Sequence, residues 1–153
     1  MNVNFRWHAF AELSGEEMYE ILSLRQRVFI VEQRCAYLDA DGLDRTSLHL
    51  CGRPQGGTLT AYLRLIPPGG RFAGPSIGRV VTDPGFRHGG IGRSLMQEGI
   101  RRSSMIYPGA PLGVSAQMRL VPFYRSLGFL PSGTPYDDDG ITHISMIRGE
   151  PVR

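Results

Sequence analysis

The segment from residue 76 to residue 104 constrains the fold more than any other part of the chain. It begins with SIGRVVTD (76–83), whose β-branched residues predict a strand, and continues into the glycine-rich stretch PGFRHGG. A helix is predicted from about residue 91 to 104, because apolar side chains recur there at helical spacing. A strand, a glycine-rich loop and a helix in this order leave backbone N–H groups unpaired at the helix start. Those groups and the helix dipole favour an anion such as phosphate.

Glycines at positions 89, 90 and 92 would let the backbone approach a diphosphate without a Cβ clash. Arg87 and Arg93 flank them and can supply positive charge. A tight turn whose glycines only relieve steric crowding is the alternative interpretation. The Walker motif is excluded because it needs lysine after its last glycine, and the dinucleotide fingerprint is excluded by its different glycine spacing and position.

The rest of the chain alternates between strand and helix patterns. The predicted strands are 3–8, 47–51, 58–66, 111–117, 129 onward and 141–147, with a turn at 52–57 and a loop at 34–46. Ser14 and Glu17 match a capping box, so a helix should begin there and end near residues 29–33. A further short helix is predicted from Arg119 to Leu127. Helices inserted among at least six strands predict an α/β fold of three layers, with helices covering a mixed sheet.

Composition favours one domain spanning residues 1–153. The chain is 41% hydrophobic and 20% charged, which fits a globular domain with its own core. We expect a cytoplasmic protein with no membrane partner, because no apolar run approaches the roughly 20 residues of a spanning helix and residues 1–10 do not resemble a signal peptide. Cys35 and Cys51 lack zinc-ligand spacing, and the spacing of Asp39, Asp41 and Asp44 does not fit a calcium loop, so no metal is expected.

The charge of the chain is unevenly distributed. All 17 basic residues are arginine, so Schiff-base lysine chemistry is excluded. Residues 1–76 contain 8 arginines and 8 acidic residues, whereas residues 77–130 contain 7 arginines and only 2 acidic residues. The second half should therefore face an anion. Because its arginines centre on the glycine loop and lack an interleaved aromatic pattern, a nucleic-acid partner is not expected.

Three groups of residues carry a family resemblance. Arg87-x-x-Gly90-x-Gly92 has the form of the coenzyme A loop of the GCN5-related N-acetyltransferases, and Ala116-Gln117 and the run 123–129 (FYRSLGF) resemble later motifs of that superfamily. Along nearly its full length the chain also resembles the ElaA-like subfamily. The residues that carry this second resemblance are 27–35, 37–44, His49, 77–81 and 139–146.

The resemblance implies a mixed, mostly antiparallel central sheet flanked by helices, the acyl-CoA N-acyltransferase fold. It also implies direct transfer of an acetyl group from acetyl-CoA to a primary amine, without an acyl-enzyme intermediate. Tyr124 would be the general acid that protonates the departing thiolate. The coenzyme would be bound by Val80, Val81, Thr82, Arg87, His88, Gly89, Gly90, Ile91, Gly92, Arg93, Ser94, Gln117, Phe123 and Tyr124.

The amine acceptor site is less defined. Glu32, His49 and His143 are the candidate general bases, although each could equally be a structural or solvated residue. The predicted acceptor-binding residues are Glu32, Gln33, Asp39, Asp41, Arg64 and Arg79. Clustered carboxylates in the first aspartate loop would suit a cationic small molecule or peptide, whereas ordinary loop solvation is the alternative.

Two other functions keep this architecture. Acyl-homoserine-lactone synthases also have an Arg-x-x-Val-Phe segment in the first helix, although their chains are longer. A non-catalytic acyl-CoA sensor would keep the loop and lose the chemistry, and Tyr124 argues against it. The sequence leaves the acceptor open and is compatible with a monomer or a homodimer.

Overall fold

The computed structural model describes residues 2–149. Its strands are Val3–Ala9 (β1), Leu48–Pro54 (β2), Ala61–Ile66 (β3), Ser76–Thr82 (β4), Leu112–Gln117 (β5), Phe129–Pro131 (β6), Tyr136–Asp138 (β7) and Ile141–Arg148 (β8). Its α-helices are Gly15–Arg25 (α1), Ile91–Ile106 (α2) and Val121–Ser126 (α3). A π-helical segment, Gln26–Glu32, continues α1. Residues 1 and 150–153 of the predicted domain lie outside the described residues.

The strands form a single eight-stranded sheet in the order β1-β2-β3-β4-β5-β8-β6, with β7 paired to β8. The pair of β4 and β5 is parallel, and the other pairs are antiparallel. The predicted mixed, mostly antiparallel sheet is therefore confirmed.

Strands β4 and β5 pair only at their beginnings. Ser76 opposes Gly113 and Ile77 opposes Val114, and no further pair follows among the described residues of the two strands. From there β4 continues to Thr82 and β5 to Gln117 without hydrogen bonding to each other. The sheet consequently opens into a cleft at its centre.

Helices cover both faces of the sheet. On one face α2 packs so tightly that a Cβ on Gly99 would lie 2.9 Å from Ile77 and 3.0 Å from Leu63. On the other face, α1 and the π-helical segment bury Ile21, Leu24 and Val28 against Tyr62 and Val81. This arrangement is the predicted three-layer class, and the cleft opens on the α1 face.

Several local predictions need adjustment. The capping box is confirmed, since Glu17 N–H donates to Ser14 Oγ at 3.0 Å and Ser14 N–H donates to Glu17 Oε2 at 3.2 Å. The predicted turn at 52–57 is shorter, because β2 extends to Pro54. The short strand β7 was not predicted. A β-bulge also interrupts β4 opposite Tyr62 and Arg64, where Arg79 adopts a φ of +52°.

Candidate active site

A cavity of about 400 Å³ lies in the cleft on the α1 face of the sheet. Its wall combines the end of the π-helical segment, the facing parts of β3, β4 and β5, and the turn before β8. The structure thus brings together predicted residues that are far apart in the chain. Those in the wall are Gln33, Asp41, Arg64, Arg79, Val80, Gln117, Tyr124 and His143.

The glycine loop lies at the start of α2. Gly90 is the residue before the helix and has a φ of +80°, and the neighbouring His88 has a φ of +68°. No side chain caps the first N–H groups of α2. A Cβ on Gly89 or Gly90 would meet no atom within 4 Å, so the backbone faces open space. These features fit a phosphate-bearing ligand.

The other predicted coenzyme residues have different environments. Val81 and Ile91 are buried in the core, so only their main-chain atoms could contact a ligand, whereas His88 and Ser94 are exposed and Thr82 is half-buried. Arg93 Nη2 donates to Ser126 Oγ at 2.7 Å, and its guanidinium lies 5.5 Å from the ring centroid of Phe123. Arg93 therefore connects α2 to α3.

The loop and the cavity are distinct surfaces. As the described residues form it, the cavity wall includes Val80 but none of residues 87–94. Strand β4 joins the two surfaces, because it begins at the cavity and ends beside the loop. A donor held by the loop and an acceptor held in the cavity would meet along β4.

Tyr124 lies in the cavity wall, in the middle of α3. Its ring makes edge-to-face contacts with Phe123 at 5.2 Å and Phe129 at 5.9 Å between ring centroids. Burial raises the pKa of Tyr124 to about 12, so the phenol keeps its proton at neutral pH. A phenol fixed by aromatic neighbours in this position can donate a proton into the cleft.

Glu32 is paired with Arg87 of the glycine loop. Arg87 Nη1 and Nη2 donate to the two carboxylate oxygens of Glu32 at 2.7 and 3.0 Å. This hydrogen-bonded pairing lowers the pKa of Glu32 and raises that of Arg87. Glu32 was predicted as a base and Arg87 as a coenzyme-binding residue. The structure therefore brings into contact two residues that were predicted for different sites.

His143 lies in the cavity wall, as a candidate base should. Its Nδ1 is 2.8 Å from the carbonyl oxygen of Ile141, and its ring stacks on Tyr136 with centroids 6.1 Å apart. Nearby, Gln117 Nε2 donates to Gln33 Oε1 at 3.4 Å. Of the three candidate bases, His143 is the one that lines the cavity as residues 2–149 form it.

His49 has a structural role instead. It is fully buried, its Nδ1 lies 2.7 Å from the Tyr62 hydroxyl, and its Nε2 lies 2.8 Å from the carbonyl oxygen of Asp44. Burial lowers its pKa. Because both ring nitrogens are occupied and the residue does not line the cavity, His49 is not a suitable base. The alternation of Leu48, His49 and Leu50 could not show that both faces of this strand are covered.

The first aspartate loop is not a free acidic surface. Its carboxylates are neutralised by three arginines through salt bridges of 2.5 to 3.4 Å, which are Arg25 with Asp39 and Asp44, Arg64 with Asp41 and Asp44, and Arg79 with Asp39 and Asp41. Arg25 and Arg64 are 0% and 1% exposed. The expectation that Asp39 and Asp41 receive a cationic acceptor was therefore wrong, because their charge is already compensated within the protein.

The segment before β4 and the first residues of β4 were not predicted to belong to the site. Arg71, Phe72, Ser76 and Gly78 line the cavity together with Ile66. Prolines and glycines at 67–70 indicated only a turn, and no local pattern showed that the following residues would fold back onto the cleft. A long connection between two paired strands was the available signal.

Within residues 2–149, no helix has the length and the apolar character that crossing a membrane requires. The same residues contain no group of three or more metal-ligating side chains that could hold a metal ion.

Comparison with known proteins agrees with this geometry. Residues 55–148 match the family model of the acetyltransferase (GNAT) domain. A UPF0039 protein of Synechocystis is 50% identical over 147 residues, which are 96% of either chain. Protein ElaA of Escherichia coli is 37% identical over 140 residues, which are 90% of this chain and 91% of ElaA.

Solved structures give the same result. The crystal structure of Escherichia coli ElaA has a TM-score of 0.89 at 34% identity, covering 96% of this chain and 99% of that one. An acyl-CoA N-acyltransferase from Pseudomonas aeruginosa has a TM-score of 0.91 at 35% identity, covering 97% and 100%. The chain therefore belongs to the GNAT acetyltransferase family, in its ElaA-like branch, and has the fold of an acyl-CoA N-acyltransferase.

Proposed function

We propose that this protein transfers the acetyl group of acetyl-CoA directly to a primary amine. The observation that carries the proposal is the position of Tyr124, a buried phenol in the wall of a cleft whose other end leads along β4 to an uncapped helix start. Donor, acceptor and proton source can then meet at one place, as direct transfer requires.

Each of these residues would have its own role in the transfer. The neutral amine nitrogen attacks the acetyl carbonyl carbon, and the bond between that carbon and sulfur breaks. Tyr124 gives its proton to the departing sulfur, which would otherwise leave as a thiolate. The proton lost by the amine goes to a base, for which we propose His143 or a water in the cavity that leads to it. Main-chain groups of Val80 and Val81 and the loop from Arg87 to Arg93 would hold the coenzyme.

Two measurements test this function. Isothermal titration should show that acetyl-CoA binds, and a thiol-detecting assay should show free coenzyme A released when the enzyme is supplied with a panel of amines. Binding without thiol release for any amine would favour the acyl-CoA sensor. No binding of acetyl-CoA would contradict the proposal.

Other expectations from the sequence remain predictions. They are a single domain over residues 1–153, a cytoplasmic location, and a monomeric or homodimeric state. The acceptor no longer has to be cationic, because the aspartate loop is neutralised by Arg25, Arg64 and Arg79.

A further inference from the structure

Two buried polar atoms at the floor of the cavity lack hydrogen-bond partners. They are Nε of Arg64 and Oγ of Ser76, and neither has a partner among residues 2–149. Each residue is only 1% exposed, and both belong to the cavity wall. Leaving a buried donor unpaired is costly, so such atoms call for an explanation. A ligand oxygen at this place would supply the missing partner.

The register of the strands shows that these atoms share one face of the sheet. Arg64 opposes Gly78 and Ile66 opposes Ser76, and residues two apart on a strand point to the same side. Gly78 leaves a space there. A Cβ built on Gly78 would lie 3.6 Å from Arg64 Nε and 3.4 Å from Ile66 Cδ1. A small group above Gly78 would therefore be within reach of the Arg64 donor.

The charge of the floor favours an anion. The two terminal nitrogens of Arg64 are occupied by Asp41 and Asp44, so its Nε points away from those carboxylates. Arg71 adds a further positive charge, because it lines the cavity and forms no salt bridge with any residue from 2 to 149. Within residues 2–149, the negative wall residues without an arginine partner are Asp138, at the end of β7, and Asp139, in the turn before β8.

We propose that Arg64, Arg71, Ser76 and Gly78 form a carboxylate-binding floor, which binds the carboxylate of the acceptor. The acceptor is then a small amino acid, whose carboxylate contacts the floor while its amine faces Tyr124 and His143. A carboxylate has two oxygens that accept hydrogen bonds, which match the Nε–H of Arg64, the hydroxyl of Ser76 and the guanidinium of Arg71. This inference rests on the proposed function, since it assigns the acceptor of that same reaction.

The test compares ligands that differ only in the carboxylate. N-acetyl amino acids, which are the expected products, and their carboxamide counterparts are titrated by calorimetry into the free protein and into the protein saturated with coenzyme A. We expect the carboxylates to bind about tenfold or more tightly than the amides. The same preference should appear in KM when amino acids and amino acid amides are compared as acceptors.

Four variants locate the effect. Arg71→Gln and Ser76→Ala should weaken binding of the carboxylates about five- to tenfold and leave that of the amides unchanged. Ser76→Ala removes an unpartnered hydroxyl, so it should not weaken the fold. Gly78→Ala fills the space without a severe clash and should remove the preference. The control is Arg45→Gln, which changes an exposed arginine outside the cavity wall and should have no effect.

The results separate this inference from the proposed function. Equal affinity for carboxylates and amides would overturn the proposal of a carboxylate-binding floor, even if acetyl-CoA binds and thiol is released. The proposal would also be overturned if Arg71→Gln or Ser76→Ala weakened the binding of N-acetyl amino acids and of their carboxamides equally. A carboxylate preference in a protein that does not bind acetyl-CoA would instead support the floor and contradict the acetyltransferase proposal.

Discussion

Arg87 and Glu32 form a two-point ion pair that joins the glycine loop to the end of the π-helical segment. The nitrogen-to-oxygen distances are 2.7 and 3.0 Å, and the two residues are 55 positions apart in the chain. Their side chains are 35% and 42% exposed, so the pair is accessible to solvent and to a ligand. A phosphate at the loop would compete with Glu32 for Arg87.

This competition predicts that Glu32→Gln tightens acetyl-CoA binding. The variant releases Arg87 from its partner, and an exposed pair of this kind contributes little, so we expect a two- to fivefold lower Kd, about 0.4 to 1 kcal/mol. Isothermal titration measures the change. Glu16→Gln, at an exposed position in α1, is the control. An unchanged or higher Kd would show that Arg87 does not contact the coenzyme.

Tyr124→Phe should lower kcat by about 100-fold or more while changing the Kd of acetyl-CoA less than about twofold. The variant keeps the edge-to-face packing with Phe123 and Phe129 and removes only the proton donor. Thiol release gives kcat, and titration gives Kd. Tyr19→Phe, whose ring is 72% exposed, serves as the matched control. Full activity in Tyr124→Phe would assign the proton donor to water.

The pH dependence follows from the raised pKa of Tyr124. With a pKa of about 12, the phenol keeps its proton throughout the neutral and mildly alkaline range. We therefore expect kcat/KM to rise as the acceptor amine loses its proton and not to fall again below about pH 10. Rates and circular dichroism are measured on the same samples, so that unfolding is recognised. A decline centred below about pH 9 in the folded enzyme would contradict this assignment.

Gly90→Ala should weaken acetyl-CoA binding beyond its effect on stability. A side chain at a φ of +80° is strained by about 1 to 2 kcal/mol, and its Cβ would stand in the open space where we place the phosphates. Gly133→Ala is the matched control, because Gly133 has a φ of +90° and equally open surroundings outside the cleft. The midpoint of thermal unfolding should fall similarly for both variants, whereas only Gly90→Ala should raise the Kd of acetyl-CoA. If both variants had the same Kd, the glycine loop would not be part of the coenzyme site.

Asp44→Asn should destabilise the protein by about 3 to 5 kcal/mol, because Arg25, Arg64 and Arg79 would then share two carboxylates and one positive charge of this buried cluster would be uncompensated. Burial alone would raise the pKa of Asp44, but its bonds and charge interactions with the two arginines outweigh burial and lower it. The stabilisation from this carboxylate is thus complete above its ordinary pKa of 3.8 and is lost as the pH falls through the lowered value.

Denaturant unfolding at several pH values checks this prediction. The wild type should lose stability more steeply than Asp44→Asn as the pH falls below about 4. Glu16→Gln, which removes an exposed carboxylate, should change the unfolding free energy by less than about 0.5 kcal/mol. A similarly small change for Asp44→Asn would mean that the buried charges contribute little.

Local patterns predicted most of the strands and helices and the glycine loop before α2. The capping box of Ser14, the strand before the glycines and the start of α2 depend on neighbours within a few residues, so the sequence is sufficient to find them. The position of Tyr124 followed from family resemblance, and the structure places it in the cleft wall.

Long-range pairing could not be predicted in the same way. Arg64 lies in a strand buried on both faces, and its partners are carboxylates 20 and 23 residues earlier. The sequence shows that such charges exist but not which ones meet, since this depends on how the loop folds over the sheet. For the same reason Asp39 and Asp41 looked like free charges, and Ser76 did not look like part of a site.

The separation of β4 from β5 should leave amide groups of these two central strands less protected from hydrogen exchange than those of a continuous sheet. In most sheets the central strands exchange their amide hydrogens most slowly, but here, within residues 2–149, the facing edges of β4 and β5 have no strand to pair with beyond Ile77 and Val114. An extended molecule with amide groups of its own can complete the ladder from inside. If acetyl-CoA binds to the main chain of Val80 and Val81 as proposed, it would pair with this open edge of β4 and slow the exchange of the β4 amides.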